Sequence, residues 1–441
     1  MFGHPKGLAI LFFTEMWERF SYYGMRAILV LFLVDSVQNQ GYGWTETEAL
    51  SLYGWYTMLV YFMSVPGGII ADRYLGQKKT VMLGGALLVI GHCLLAYTEQ
   101  WAFYAGLGFI ICGVGGLKPN ISTMVGGLYE QKDSRRDSGF TLFYMGINIG
   151  AFFGSLLVGY VGEVYGWHYG FGIAGIGMLL GQAVFVWGQK YLTEVGNLEV
   201  KTADNKKIDF SNFTEQEKDR ILVLIISFAI IFVFWLAYEQ AGGLMNLYTK
   251  DYTDRNFFGK EIPTSMFQSL APAFILIFGG VVGAIWIYLA KTGKHYSSIF
   301  KMAFGTIIMG LGFVFMLGSA MQVKLAESGE IIQKGGLYWV VLAYMFHTIG
   351  ELCLSPVVLA FITRVSPPKI VASMMGLYWA VFGISNKVAA EVGKLATDLG
   401  ANTVFGGLAV FSIFMGLAMI LFDKKLKKLS HGADDLSQNT H

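Results

Sequence analysis

The sequence predicts an all-α, polytopic membrane protein with about twelve transmembrane helices in two sets of six. Three observations support this fold class. The 441 residues are 54% hydrophobic and only 14% charged, whereas soluble proteins carry roughly 25% charged residues. The apolar residues occur in runs of about 20, the length that spans a bilayer as a helix. One long polar segment, 190–218, interrupts these runs after the sixth.

Twelve apolar runs follow one another along the chain. We predict that they span the membrane near residues 8–34, 49–71, 80–98, 102–125, 139–161, 167–189, 219–248, 266–290, 297–319, 336–363, 371–395 and 401–422. The predicted domains are a six-helix bundle at 1–189, a cytoplasmic linker at 190–218, a second six-helix bundle at 219–424 and a cytoplasmic tail at 425–441. The tail is polar from about Ser430, and we expect it to be disordered from there.

The distribution of Lys and Arg predicts the orientation. Loops after the even-numbered spans are rich in basic residues, as cytoplasmic loops are, whereas the first loop, 35–48, has none. The basic residues on the predicted cytoplasmic side are Arg73, Lys78, Lys79, Lys132, Arg135, Arg136, Lys190, Lys201, Lys206, Lys207, Lys218, Arg220, Lys291, Lys294, Arg364, Lys369, Lys424, Lys425, Lys427 and Lys428. Both termini are therefore predicted to be cytoplasmic. The first run lacks a small-residue cleavage site, so we interpret it as a span.

The first span carries a stripe of ionisable side chains. Glu15, Glu18, Arg19, Tyr22 and Arg26 recur at intervals of three and four residues, so they share one helix face. A charge at the bilayer centre costs at least about 2.5–3.5 kcal/mol. We therefore expect this face to border a hydrated cavity or partner charges. A structural ion-pair cluster is the alternative.

Further polar residues lie within the other spans of the first half. Tyr61 is in the second span, and Lys118 precedes Pro119 in the fourth. A lysine deep in an apolar run needs a carboxylate partner or a ligand, unless it snorkels to the interface. The fifth span carries Tyr144 and Asn148 one helical turn apart.

The second half contributes carboxylates and aromatic residues. Glu239 follows Trp235 in the seventh span, and desolvation makes an isolated carboxylate a candidate proton carrier. Glu351 and Ser355 follow His347 at successive intervals of four in the tenth span. We expect His347 to be a neutral, hydrogen-bonded core residue rather than a titrating group.

Both signs of charge thus occur within the spans, which predicts a bipolar cavity. Such a cavity suits a small zwitterion whose carboxylate meets Arg26 or Lys118 and whose amine meets Glu351. A carrier of non-peptide anions, a membrane enzyme and a channel are the alternatives. The sequence has no nucleophile elbow, no His-Glu-x-x-His helix and no metal-ligand cluster, so it does not favour an enzyme. The three cysteines lie in apolar runs, and we expect core thiols and no disulfide.

At these positions the chain resembles the proton-dependent oligopeptide transporter family of the major facilitator superfamily. The resemblance covers nearly the whole length. The matching motifs are Glu15-x-x-Glu18-Arg19-Phe-x-Tyr22-Tyr23-Gly24, Gly67-Gly68-x-x-Ala71-Asp72-Arg73-x-x-Gly76-x-x-x-Thr80, Lys118-Pro119-Asn120, Phe140-x3-Tyr144-x3-Asn148, Trp235-x3-Glu239-Gln240, Phe267-Gln268-Ser269-Leu270 and Gly350-Glu351-x2-Leu354-Ser355-Pro356.

The resemblance implies a major facilitator fold and proton-coupled import of di- and tripeptides by alternating access. It implies no enzyme activity, no metal and no cofactor besides the coupling proton. It places the chain in the plasma membrane, the inner membrane of a bacterium, as a working monomer with no nucleic acid partner. The implied proton-coupling residues are Glu15, Glu18, Arg19 and Glu239. The implied peptide-binding residues are Tyr23, Arg26, Tyr61, Lys118, Asn148, Trp235, Glu351, Ser355 and Tyr378.

Two departures from the family pattern are visible. Many bacterial members carry two extra helices after the sixth span, where this chain has about thirty polar residues. The family usually has Asn-Pro in the eighth helix, where this chain has Ala271-Pro272. The missing amide predicts an altered affinity or side-chain preference rather than another transport class.

Overall fold

The computed structural model describes residues 3–130, 133, 135–193, 195–198 and 213–434. Twelve long helices run through these described ranges, and we number them in chain order. They are α1 Lys6–Val34, α2 Glu46–Leu75, α3 Gln77–Leu95, α4 Gln100–Gly127, α5 Arg136–Tyr165, α6 Trp167–Tyr191, α7 Glu215–Tyr252, α8 Thr264–Lys291, α9 Ser298–Gln322, α10 Leu337–Val365, α11 Val371–Leu399 and α12 Ala401–Leu429. The prediction of an all-helical, polytopic fold is confirmed.

Ten of the twelve described helices are long and apolar enough to cross a membrane. The two others are α1 and α11. The first carries Glu15, Glu18, Arg19 and Arg26, and charges of this kind reduce the hydropathy of a helix without shortening it. Their lengths of 29 residues each remain sufficient for a bilayer.

Several helices are interrupted, and proline accounts for part of this. In α2 the α-helical run ends at Phe62, resumes at Ser64 ahead of Pro66, and closes in a π-helical turn, Ala71–Leu75. In α7 a 3-10 turn, Glu239–Gly242, separates two α-helical parts. Pro119 and Pro356 lie inside α4 and α10 without ending them.

The described chain divides into two compact units. The first holds α1 to α6 together with Met245–Leu247 and Arg255–Ala273, and the second holds the rest. In the first unit α1 packs mainly against α5 and α6, and α3 packs against α4. A Cβ atom built on Gly113 would lie 2.8 Å from Gly84 O, so the close approach of α3 and α4 requires glycine there. In the second unit α9 packs against α10 and α12.

Three short strand pairs lie in loops, and the sequence did not suggest them. Thr253–Asp254 pairs in parallel with Gly335–Gly336. Asn256–Phe257 and Lys260–Glu261 form an antiparallel hairpin between α7 and α8. Lys324–Leu325 and Ile331–Gln333 form a second antiparallel hairpin between α9 and α10.

Two sequence predictions are wrong. The tail is ordered at its start, because Ser430 and Asp434 are 0% and 1% exposed. Cys93 and Cys112 are exposed rather than core thiols, and only Cys353 of the described cysteines is buried. Several predicted features lie outside the described residues, namely the basic residues Lys132, Lys201, Lys206 and Lys207, the linker segment 199–212 and the tail from 435.

Candidate functional site

Two carboxylates and one guanidinium meet on the buried face of α1. Glu15, Glu18 and Arg19 are 2%, 0% and 2% exposed. Arg19 Nε lies 3.1 Å from Glu15 Oε1 and also contacts Glu18 Oε2. We call these three residues the α1 ion cluster. With every group ionised, the cluster has two negative charges and one positive charge.

The α1 ion cluster is incompletely hydrogen-bonded. Among the described residues, Glu15 Oε2, Glu18 Oε1 and Arg19 Nη2 have no hydrogen-bond partner. Most buried polar atoms in proteins are paired, and an unpaired one costs about 1–3 kcal/mol. A carboxylate oxygen in this position can take up a proton. The cluster therefore has the chemistry of a proton-binding site.

Tyrosine rings surround the two arginines of α1. The Arg19 guanidinium carbon lies 5.3 Å from the ring centroid of Tyr22 and 5.9 Å from that of Tyr23. The guanidinium carbon of Arg26 lies 5.8 Å from the Tyr23 centroid. These distances are in the range of cation–π interactions. Tyr23 thus contacts both arginines of α1.

Arg26 is held by a residue that the sequence reasoning missed. Its Nε donates a hydrogen bond of 2.6 Å to the hydroxyl of Tyr53, which lies on α2 and is 2% exposed. The sequence contained a signal for this residue. Tyr53, Thr57 and Tyr61 recur every four residues on α2, so they form one polar stripe on that helix.

Lys118 of α4 meets the same stripe. Its Nζ lies 4.2 Å above the ring centroid of Tyr61, which is 4% exposed. Lys118 also lies close enough to Glu15 for an electrostatic interaction. The first unit therefore brings Lys118, Tyr61 and the α1 ion cluster together.

Asn148 of α5 is buried, at 4% exposure. Its Nδ2 donates to the backbone oxygen of Tyr144, one turn earlier, at 2.9 Å. Among the described residues this hydrogen bond ties Asn148 to its own helix rather than to Arg26 or Lys118. The structure therefore places Asn148 in the first unit without joining it to the basic side chains.

The second unit brings two carboxylates together where α7 is interrupted. Glu239 begins the 3-10 turn and is 3% exposed. Glu351 of α10 accepts a hydrogen bond from Tyr238 and lies close enough to Glu239 for electrostatic repulsion. Within the described residues, Glu351 Oε2 has no hydrogen-bond partner. Tyr238 orients Glu351 and was given no role by the sequence reasoning.

Aromatic rings pack beside this carboxylate pair. The ring centroids of Trp235 and Phe382 are 4.3 Å apart, and those of Tyr378 and Phe382 are 6.4 Å apart. Tyr378 also lies next to Trp235 and Glu351. Three of the predicted residues, Trp235, Glu351 and Tyr378, therefore meet within the second unit.

Ser355 and His347 lie one turn to either side of Glu351 on α10. The buried Ser355 Oγ has no hydrogen-bond partner among the described residues. His347 is 2% exposed and packs against Phe313, with ring centroids 4.5 Å apart. Neither His347 nitrogen is hydrogen-bonded to a described residue. We expected a hydrogen-bonded histidine, and the structure shows one that packs in an aromatic environment.

The arrangement brings together the charged groups that recognition of a charged ligand and uptake of a proton require. The described residues include no group of three or more His, Cys, Asp or Glu side chains that could hold a metal ion. The first unit offers the Arg26 and Lys118 cations beside the α1 ion cluster. The second unit offers Glu239 and Glu351 beside aromatic rings.

Comparison with known proteins gives consistent matches over nearly the whole chain. A family model described as PTR2, POT family, matches residues 78–208 and 198–406. The Yersinia enterocolitica peptide transporter YePEPT is 34% identical, over 97% of this chain and 96% of its own. A di-/tripeptide transporter of Lactococcus lactis is 30% identical, over 97% of both chains.

Solved structures agree with these matches. A crystal structure of a peptide transporter POT in complex with alafosfalin superposes with a TM-score of 0.90 at 33% identity, covering 97% of this chain and 96% of the other. A POT family transporter in complex with 5-aminolevulinic acid gives a TM-score of 0.88 at 30% identity, with 97% and 98% coverage.

Proposed function

Because the chain belongs to the POT family and has its major facilitator fold, we propose that it is a proton-coupled symporter that imports di- and tripeptides by alternating access. The named relatives are transporters and not enzymes, in agreement with the sequence prediction. The observation that carries the proposal is the α1 ion cluster, in which one buried arginine forms ion pairs with two buried carboxylates.

The cluster supplies the proton-coupling chemistry. The two carboxylates share one guanidinium in a buried site, with the Lys118 ammonium as the next cation near Glu15, and an ionised carboxylate buried in this way is costly. One proton on Glu15 or Glu18 would neutralise the cluster. A ligand that binds one conformation better than another shifts the equilibrium toward it. A proton bound here would therefore bias the transporter toward one state, and Glu239 would be a second site of the same kind.

The cations and the remaining carboxylate supply the peptide-binding chemistry. A peptide has a carboxylate at one end and an amine at the other. We assign the carboxylate to Arg26 and Lys118, with Tyr23, Tyr61 and Asn148 nearby, and the amine to Glu351. Trp235, Tyr378 and Ser355 would line the space for the peptide. The relative with bound 5-aminolevulinic acid supports a zwitterionic ligand, because that compound also carries an amine and a carboxylate.

Localisation follows from the same reasoning. We place the protein in the plasma membrane, the inner membrane of a bacterium, with both termini in the cytoplasm, and we propose that one chain is the working unit. The excess of basic residues in the loops after even-numbered helices supports this orientation.

Uptake of labelled dialanine into proteoliposomes tests the function. We expect accumulation when the outside is acidic, and loss of accumulation when a protonophore dissipates the gradient. Glu239→Gln should abolish gradient-driven uptake but retain counterflow exchange. Uptake at a rate that does not depend on the proton gradient would exclude proton symport. Release of free alanine would indicate an enzyme.

A further inference from the structure

The hairpin between α7 and α8 ends in two exposed phenylalanines. Its strands are Asn256–Phe257 and Lys260–Glu261, and its turn is Phe258-Gly259. Phe258 is 94% exposed and Phe257 is 53% exposed, with their ring centroids 4.5 Å apart. We call these two residues the aromatic tip.

The turn has a backbone conformation that does not suit phenylalanine. Phe258 has a φ of 49° and Gly259 a φ of 78°, the positive pair that a type I′ turn requires. Such turns prefer Asn-Gly, because the left-handed region crowds any larger residue. The backbone of Phe258 is thus strained, and its apolar side chain would be exposed to water. Strain of this kind often marks a functional position.

The base of the hairpin holds the aromatic tip in place. Arg255 bridges the two strands, because its Nη1 donates to Ile262 O at 2.8 Å and its Nη2 lies 2.6 Å from Glu261 Oε1. Just beyond the hairpin, Glu163 of α5 accepts hydrogen bonds of 2.9 Å from Thr264 N and 2.5 Å from Ser265 N. The base of the hairpin is therefore braced by Arg255, and the residues that follow it are fastened to α5.

The position of the hairpin in the chain indicates what covers the tip. The candidate spans on either side are Glu215–Tyr252 and Thr264–Lys291, so Phe258 is six residues from each. At about 3.3 Å per residue the tip lies at most about 20 Å from Tyr252 and from Thr264, the facing ends of two helices long enough to cross a bilayer, so the headgroup layer is within its reach. Phenylalanine rings are apolar, and apolar side chains on surface-bound segments are buried at the boundary between the headgroups and the acyl chains.

We propose that the aromatic tip, Phe257 and Phe258, inserts into the headgroup layer of the bilayer and anchors the α7–α8 connection to the lipid surface. The charged residues of the segment, Lys250, Asp251, Asp254, Arg255, Lys260 and Glu261, sum to zero. Apolar burial, rather than attraction to anionic lipid, is therefore the driving force. The inference is independent of the substrate and of proton coupling.

The second hairpin, between α9 and α10, provides a control on the same side of the membrane, because two spans separate the two hairpins. Its turn carries Glu327, Ser328 and Glu330, which are exposed. Unlike the aromatic tip, this turn has no aromatic residue, and its charged side chains stay in water. A probe on Ser328 should therefore report the aqueous phase.

Spin-label accessibility tests the proposal. In a background with the three cysteines replaced by alanine, a nitroxide is attached at Lys260→Cys or Ser328→Cys, and the protein is reconstituted in nanodiscs. We expect the ratio of oxygen to nickel-chelate accessibility to be several-fold higher at 260 than at 328. Adding Phe257→Asn and Phe258→Asn should lower the ratio at 260 to that at 328, whereas Ile332→Asn in the other hairpin should not change it.

Two outcomes would overturn the proposal. A label at 260 that is as open to the nickel chelate as the label at 328 would place the tip in water. A label at 260 that is shielded from both reagents would indicate a protein contact instead of lipid. Phe258→Asn suits the turn, so an unchanged melting temperature in detergent shows that the hairpin is intact. High salt should not change the accessibility ratio at 260, because apolar burial rather than attraction to anionic lipid drives the insertion.

Discussion

Arg26 Nε donates a 2.6 Å hydrogen bond to the hydroxyl of Tyr53, and the ring of Tyr53 also lies 5.7 Å from the Arg26 guanidinium carbon. One side chain of α2 thus orients the cation that we assign to the peptide carboxylate. A hydrogen bond to a charged group contributes about 1.5–3 kcal/mol, so this contact is strong enough to matter for binding.

Tyr53→Phe should weaken peptide binding without abolishing transport. The variant keeps the ring and the Arg26 charge but loses the hydrogen bond that positions the guanidinium. We expect the KM for dialanine to rise by about tenfold, since 1.4 kcal/mol corresponds to a factor of ten, with a much smaller change in maximal rate. Concentration-dependent uptake in proteoliposomes measures both quantities.

Tyr56→Phe is the matched control for Tyr53→Phe. Tyr56 lies on the same helix and is equally buried, at 2% exposure. Its hydroxyl has no hydrogen-bond partner among the described residues, so its removal should leave KM unchanged. Equal effects of the two substitutions would contradict a positioning role for Tyr53.

Glu18→Gln should uncouple transport from the proton gradient. The substitution leaves Arg19 paired with Glu15 alone, and a one-to-one pair has no excess charge for a proton to neutralise. We expect gradient-driven dialanine uptake to fall to the level of facilitated exchange, while counterflow continues. Gradient-driven uptake and counterflow are measured on one preparation. Retained counterflow shows that the variant is folded, so a loss of gradient-driven uptake alone reflects lost proton coupling.

Glu391→Gln is the control for this carboxylate. Glu391 is paired with Lys387 and Lys394 on α11, and its side chain is 48% exposed. Neutralising it should change gradient-driven uptake little. If Glu18→Gln retains full accumulation, the α1 ion cluster is structural and the proton binds elsewhere.

The sequence predicted the elements that depend on local periodicity. The stripe of α1 follows from intervals of three and four residues, so Glu15, Glu18 and Arg19 share a face whatever surrounds the helix. Tyr53 could not be assigned in the same way. Its contact with Arg26 joins two helices through residues 27 positions apart in the chain, and no local rule fixes that approach.

The burial predicted from the sequence was wrong at two places, and each error has a physical reason. Lipid tails are as apolar as a protein core, so an apolar run does not separate Cys353, which is buried, from Cys93 and Cys112, which are exposed. A polar tail looks disordered by composition. At Asp434, however, a carboxylate can be buried when backbone and side-chain donors surround it.

Gly113→Ala should destabilise the pairing of α3 with α4. The added methyl group would lie 2.7 Å from Leu88 Cγ and 2.8 Å from Gly84 O, and backbone atoms cannot move aside easily. Overpacking of this kind costs about 1–3 kcal/mol. We expect a lower melting temperature in detergent micelles. Gly108→Ala on the same helix is the control, because nothing lies within 4 Å of the added atom.

The last described turn of the chain, 430–434, packs against α9 and α10 through Asp434. Its Oδ2 accepts from Ser298 N at 2.9 Å, and its Oδ1 accepts from Ser298 Oγ at 2.5 Å and lies 3.4 Å from Arg364 Nη2. Burial raises the pKa of the Asp434 carboxyl above its ordinary value, although these donors oppose the shift. The folded state therefore holds this proton more tightly than the unfolded state does.

This shift predicts the sign of a pH effect on stability. A carboxyl with a raised folded pKa stabilises the folded state as pH falls toward the ordinary value, and this contribution is lost as pH rises through the folded pKa. Asp434→Asn should remove this dependence, so the melting temperature of the wild type should rise relative to that of the variant as the pH is lowered from neutral toward the ordinary carboxyl pKa of about 4. Asp434→Ala should be less stable than Asp434→Asn at every pH, because Ser298 N loses its acceptor. A difference between wild type and Asp434→Asn that does not vary with pH would show that Asp434 does not titrate in this range.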